Sequence, residues 1–255
     1  MKDAGETRVQ GGTRLKRVKA YRNTEFINSK DARALRILAE YLEPRSRFER
    51  HGIEDTIVFF GSARFSEGNR WYEAARQLAF RLTQWSQALD PAAQSRFVVC
   101  TGGGPGIMEA ANRGAAEAKG KTIGLGIDIP VEQSDNLYLT HELGFHFHYF
   151  FMRKFWFAYL AKAMIVFPGG FGTLDELMEV VTLVQTKKMR KPMPVVLFGN
   201  EYWNEVVNFD AMVRHGTISA GDVDIMFRTD SVDEAYDWVV RQLTEHALNK
   251  PGAIL

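Results

Sequence analysis

The chain has 255 residues, 45% of them hydrophobic, which is enough apolar material for one full core and too little length for two large independent domains. Its formal net charge of +1 supplies no long-range field for nucleic acid or an anionic membrane, so an anionic partner must be held by a local site that suits a small anion better than a polymer. The single cysteine, Cys100, excludes an internal disulfide and fits a reducing, cytoplasmic compartment; within Phe97-Val98-Val99-Cys100 it reads as buried strand rather than as a catalytic thiol.

Residues 1–24 set Lys2, Arg8, Arg14, Lys16, Arg17, Lys19 and Arg22 against Asp3 and Glu6 with few apolar side chains. They predict a basic flexible arm without the apolar run of a signal peptide. A single domain is expected over 25–255, with its core at 56–200 and flanking helices at both ends. From Asp31, a good cap, Ala34, Leu35, Leu38, Ala39 and Leu42 recur at helical spacing until Pro44. Strand and helix then alternate: strand 56–60, the turn Gly61-Ser62-Ala63-Arg64, helix 71–85, a surface loop at 91–95, strand 97–101, the turn 102–106, helix 107–119 and strand 122–127. An aromatic helix over 150–161 precedes strand 163–167, a third glycine turn and a helix over 174–185. Strand 194–198, helix 202–213, an extended piece at 225–228 and a terminal helix capped by Ser231 and Glu234 complete the pattern. The most apolar window, 145–167, contains His146, His148, Arg153, Lys154 and Lys162, so it reads as helix plus strand and not as a membrane span. The fold class expected is α/β: a Rossmann-like, doubly wound, mostly parallel sheet with helices on both faces. In such sheets ligands bind at the carboxyl ends of the strands, where all three glycine turns fall.

The turn Gly102-Gly103-Gly104-Pro105-Gly106 does not have G-x-G-x-x-G spacing. Counting from Gly102 the third glycine position is Ile107, and counting from Gly104 it is Glu109, so only Asp128 keeps a dinucleotide ribose contact open. The G-x-x-x-x-G-K-[ST] loop of triphosphate-cleaving proteins is absent as well. The third turn, Pro168-Gly169-Gly170-Phe171-Gly172-Thr173-Leu174-Asp175-Glu176, puts three glycines and an acid between a strand and a helix. Backbone N–H groups of Gly170, Gly172 and Thr173, with the Thr173 hydroxyl and the helix N-terminus, make a cradle of monophosphate size. The same letters also fit a capping box in which Glu176 reaches back to the N–H of Thr173.

Together with Met152-Arg153-Lys154 and Gly102-Gly103-Gly104-Pro105-Gly106-Ile107-Met108-Glu109-Ala110-Ala111-Asn112, the third turn resembles the LONELY GUY family, with its PGGxGTxxE pattern. Members are cytokinin-activating nucleoside-monophosphate phosphoribohydrolases, often mislabelled lysine decarboxylases. The resemblance runs from about Ile57 to Phe198 and places Arg153 and Glu176 in the active site. Its implied substrate contacts are Gly61, Ser62, Arg64, Gly103, Gly104, Met108, Lys154, Gly169, Gly170, Gly172 and Thr173. The turn Gly61-Ser62-Ala63-Arg64 departs from the Gly-Ser-Ser form of many members, and Arg64 adds a charge at the phosphate end.

The chemistry expected is hydrolysis of the N-glycosidic bond of a nucleoside 5′-monophosphate, a cytokinin riboside monophosphate or AMP, to free base and ribose 5-phosphate. Glu176 would stabilise an oxocarbenium-like ribose or activate water, and Arg153 would keep it ionised. The competing class is a nucleotide-binding or sensing protein with little turnover. No cofactor or metal is expected: His141, Glu142, His146 and His148 need a strand to converge, and Lys154 has no pyridinium partner beside it for a pyridoxal phosphate decarboxylase. Phe145, Phe147, Tyr149, Phe150, Phe151, Phe155, Trp156, Phe157 and Tyr159 are too many for one helix to bury on its own sheet, which predicts a homodimer or higher homo-oligomer.

Overall fold

The computed structural model describes residues 18–89, 96–127 and 136–252. The loop 91–95, Asp128 and most of the basic arm lie outside these described residues. The chain groups into two units, 1–39 and 40–255.

In the first unit Ala20–Arg22 forms a 3-10 turn and Thr24–Asn28 a short helix (α1), capped by the Asn23 side chain accepting from the Phe26 N–H at 3.3 Å. Arg36 donates to the carbonyls of Ile27 and Ser29, both at 2.6 Å. The following helix α2, Arg33–Arg50, begins after Asp31 and does not stop at Pro44, where the sequence predicts its end. A proline leaves the carbonyl four residues earlier without its helical donor. Here that carbonyl belongs to Glu40, and the Trp156 indole N–H donates to it at 3.0 Å, so a tertiary contact replaces the missing bond.

The second unit holds a seven-stranded sheet: β1 Thr56–Phe60, β2 Val98–Thr101, β3 Thr122–Ile127, β4 Gly144–Phe147, β5 Ala161–Val166, β6 Val195–Phe198 and β7 Met226–Thr229. Every pairing is parallel and the order is β4-β3-β2-β1-β5-β6-β7. The linking helices are α3 Arg70–Leu89, α4 Ile107–Glu117, α5 Phe150–Leu160, α6 Phe171–Gln185, α7 Asn200–Val206, α8 Phe209–Arg214 and α9 Val232–His246. Alternate strand residues Ile57, Phe59, Val99, Ala163 and Ile165 face one layer with Leu78 and Leu82 of α3, Ala111 of α4 and Val239 of α9. On the opposite face Phe60 meets Phe157 of α5, ring centroids 4.8 Å apart. Gly114 lets α3 and α4 approach closely, since a Cβ there would lie 2.0 Å from the Arg76 carbonyl oxygen. Among the described residues no helix is long and apolar enough to cross a membrane.

Four local readings change. The strand β4 was not expected; within it Phe145 and Phe147 alternate inward with an exposed His146 outward, so the aromatic run is strand first and helix second. The helix expected at 202–213 breaks at Asn208, whose side chain accepts from the Ala211 N–H at 2.8 Å and starts a new one. Ser231 caps α9, but Glu234 turns its carboxylate to the Thr229 hydroxyl instead of closing the box. The strand β5 begins at Ala161 and therefore contains Lys162, which is fully buried.

Lys162 belongs to a charge cluster at the amino ends of the central strands. Asp55, with no exposed surface, accepts from Arg96 Nε and from the Gly252 N–H at 3.1 Å and lies 3.4 Å from Lys162 Nζ. Arg96 also donates to the carbonyls of Ala247 and Leu248, both at 2.9 Å, and Lys162 donates to that of Lys250 at 2.8 Å. The segment after α9 is thereby tied beneath the sheet.

Candidate active site

The strand order reverses between β1 and β5, and the chain leaves the two strands toward opposite edges of the sheet. At that switch point the turns after β1 and β5 lie side by side, with the Ser62 N–H donating to the Pro168 carbonyl at 2.9 Å. The turn after β2 joins them, because the Ile107 N–H donates to the Ser62 carbonyl at 3.0 Å. Gly106, at φ +73°, makes that approach feasible: a Cβ there would lie 2.3 Å from the Ser62 carbonyl oxygen. The turns after β1 and β5 enclose one side of a pocket of about 600 Å³.

Gly61, Ser62, Arg64, Met108, Arg153, Gly169, Gly170, Gly172, Thr173 and Glu176 all line it. Gly103, Gly104 and Lys154 do not. The second turn serves the pocket differently: at Gly102 a Cβ would lie 2.7 Å from Arg153 Nη2 and 2.8 Å from Met108 Sδ, so this glycine clears the path of two side chains that reach the pocket. The backbone of the same turn is tied down by the Gly103 N–H donating to the Thr101 hydroxyl at 2.9 Å.

The helix α6 starts three residues earlier than the capping-box reading requires. Gly170 is its N-cap, with no side-chain cap, and the first N–H satisfied inside the helix is that of Leu174, which donates to the Gly170 carbonyl. The N–H groups of Phe171, Gly172 and Thr173 are left to face the pocket rim as anion donors. Glu176 lies a full turn inside the helix and cannot reach the cap, so the capping box does not form. Gly170 and Gly172 have negative or unremarkable backbone angles and nothing within 4 Å of a built Cβ; local packing requires glycine at neither position. Gly169 is different, because the Thr173 hydroxyl fills the place of its side chain at 2.1 Å. Tyr202, from α7, also lines the pocket and donates its hydroxyl to the Gly169 carbonyl at 2.5 Å, which holds the turn. Nothing in the sequence signals Tyr202, which is distant along the chain and has no motif around it.

Arg153 stands on α5 and donates its Nε to the Leu125 carbonyl at 2.8 Å, which anchors the guanidinium over the carboxyl end of β3. Burial lowers its pKa, and Glu176 is the largest charge acting in the other direction. Glu176 is 6% exposed and has no hydrogen-bond partner among the described residues. Burial pushes its carboxyl up to about 7 despite the opposing pull of Lys154 and Arg153. Arg153 does favour the charged form of Glu176, as expected, but removal from water is the larger effect and sets the net direction. A carboxyl with that ionisation can take up or release a proton near neutrality.

Lys154 lies behind the pocket wall, paired with the pocket-lining Asp175. Its Nζ lies 2.8 Å from Asp175 and 2.7 Å from Glu179, and although burial lowers its pKa these partners raise it on balance. It is a charged, paired lysine. Cys100 is buried in β2, and burial raises its thiol far above the ordinary range. His141, His146 and His148 are exposed, and among the described residues no three of His, Cys, Asp and Glu converge as metal ligands.

Residues 108–239 match the family model described as "Possible lysine decarboxylase". The cytokinin riboside 5′-monophosphate phosphoribohydrolase LOG7 of Arabidopsis thaliana is 39% identical over 95 residues, covering 37% of this chain and 42% of that protein. The probable cytokinin riboside 5′-monophosphate phosphoribohydrolase LOG4 of Oryza sativa subsp. japonica is 29% identical over 210 residues, 81% of this chain and 83% of that protein. The chain thus matches less than half the length of the first relative and most of the second. Among solved structures, the X-ray structure of TM1055 superposes with a TM-score of 0.52 at 21% identity over 73% of this chain and 99% of that one, a likeness of fold.

Proposed function

We propose a hydrolytic role for this chain from the premise that it belongs to the family described as possible lysine decarboxylase, the LONELY GUY family. The reaction is cleavage of the N-glycosidic bond of a nucleoside 5′-monophosphate, AMP or a cytokinin riboside monophosphate, to free base and ribose 5-phosphate. One observation carries this reading: a single pocket joins the free N–H groups at the start of α6 to the buried carboxyl of Glu176 beside Arg153.

The phosphate rests on the N–H groups of Phe171, Gly172 and Thr173, with the Arg64 guanidinium at the mouth. Arg153, fixed by Leu125, holds a ribose or phosphate oxygen. As the bond between C1′ and the base nitrogen breaks, positive charge grows on the ribose, and the Glu176 carboxylate stabilises it and takes a proton from the attacking water. The water oxygen bonds to C1′, the departing base nitrogen takes up a proton from solvent, and Glu176 returns its proton to solvent, so that one water is consumed overall. The names of the two plant relatives support the same bond as the target. Lys154, paired with two carboxylates, offers no free amine for the Schiff base of a decarboxylase.

The protein is proposed to act as a cytoplasmic homodimer. Trp156 and Phe157 are interior to the monomer and are not the contact residues. Phe151, Phe155 and Tyr159, one helical turn apart on α5, are at least partly exposed and form the contact face. Light scattering at micromolar concentration should give a dimer, and replacing Phe151 by a charged residue should give monomers.

Incubation with AMP, other purine and pyrimidine monophosphates and isopentenyladenosine monophosphate, followed by chromatography of the released base, tests the reaction. The expected result is free base with kcat/KM far above that for the matching nucleoside. Tight nucleotide binding with no released base would replace the enzyme by a binding or sensing protein.

A further inference from the structure

The pocket is ringed by aromatic side chains, and most of them are already engaged. Phe60 is buried against Phe157, Phe65 leans on the core, and Tyr202 is committed to the Gly169 carbonyl and to Trp203, ring centroids 5.1 Å apart. Two rings differ. Phe150 is 52% exposed and Phe171 is 91% exposed, both line the pocket, and neither meets another ring among the described residues. Phe171 belongs to the phosphate turn itself. Phe150 opens α5 and stands one helical turn before Arg153, so both project from the same side of that helix. Its neighbour Phe151 also lines a separate groove with Phe155 and Tyr159, so the two adjacent phenylalanines serve different surfaces.

No Asn or Gln side chain, the bidentate partner of an adenine edge, and no His lines the pocket among the described residues, and Asp175 on its wall is paired with Lys154. A flat ring can still be held there through its face, because every base presents one. We propose that Phe150 is the platform on which the nucleobase stacks, placing the glycosidic bond beside Arg153 and Glu176, and that base preference at this site follows ring area more than edge pattern. Purine monophosphates are then preferred over pyrimidine monophosphates, with tolerance for substituents on the purine edge. This rests on the phosphoribohydrolase reading and names a specificity residue within it.

The test compares binding of AMP and UMP with binding of ribose 5-phosphate, which lacks the base, by calorimetry on wild type, Phe150→Ala and Phe150→Trp. Because Phe150 is half exposed, its removal leaves the core intact, and equal melting temperatures check that. Stacking on an aromatic ring is worth about tenfold or more in affinity. Phe150→Ala should weaken AMP by about that factor, narrow the gap between AMP and UMP, and leave ribose 5-phosphate unchanged; Phe150→Trp should restore AMP. Unchanged AMP affinity in Phe150→Ala, or an equal loss for ribose 5-phosphate, overturns the platform. So does the same base-specific loss arising from Phe171→Ala alone. A wild type that binds neither AMP nor ribose 5-phosphate overturns the function itself, a result distinct from hydrolysis that is indifferent to Phe150.

Discussion

At the amino ends of the central strands Asp55 is wholly buried and meets Arg96, Lys162 and the Gly252 N–H, while the two cations also hold carbonyls of the C-terminal segment. At the carboxyl ends Glu176 is almost as buried, yet no group among the described residues donates to it, and Arg153 beside it is anchored to a β3 carbonyl instead. Both ends bear the cost of taking charge out of water. In the first the chain itself supplies the hydrogen bonds, and the cluster acts as a clamp. In the second those bonds are withheld, the carboxyl keeps a proton up to about pH 7, and the unsatisfied groups surround open space. Saturation, more than burial, separates a structural charge from a working one.

The largest break in this comparison is Glu176→Gln. Turnover should fall by about a thousandfold or more while nucleotide binding stays within about tenfold, measured by base release and calorimetry, because the amide keeps the shape and loses the charge. The same substitution sharpens the comparison in stability. A carboxyl whose folded pKa is raised above its unfolded value adds stability at low pH and loses it as pH rises from about 4.5 through about 7. Wild type should therefore lose on the order of 3 kcal/mol from this group between pH 4 and pH 9, and Glu176→Gln should not. Denaturant midpoints across that range check the sign; a variant that is less stable than wild type at pH 9 would remove the argument.

Asp55→Ala is the opposite break. It leaves Arg96 and Lys162 buried without their acid and should cost about 3–5 kcal/mol in urea unfolding, with kcat of the folded fraction unchanged. A loss of kcat at full stability would mean that the clamp reaches the site. Smaller effects are expected from glycines. Gly170→Ala and Gly172→Ala should reduce monophosphate affinity by about tenfold with little change in melting temperature, because only the pocket has use for the space there. Gly106→Ala should instead destabilise the fold, since its Cβ would meet the Ser62 carbonyl and its φ is positive.

Alternation of apolar strands with helices, glycine turns after three of them, and the composition of the third turn were readable along the chain, because they depend on periodicity and on residues a few positions apart. On those signals the parallel α/β sheet and the family were legible, and so was the expectation that three turns meet at one end. What was hidden depended on partners far away in sequence. Pro44 continues a helix because Trp156 supplies the donor that Glu40 lacks, and Lys162 enters a strand because Asp55 neutralises it. Phe145 and Phe147 are strand residues because β3 offers an edge to pair with, although their neighbours are helical. At the site, the sequence named Glu176 and its cationic neighbour Arg153, but not the depth of burial that raises the carboxyl's pKa against that neighbour. Tyr202 and Phe150 join the site only when α5, α6 and α7 are brought around one pocket. Local pattern chooses the elements; desolvation and long-range hydrogen bonding, which exist only in the folded chain, decide which charges are clamps and which are left free to act.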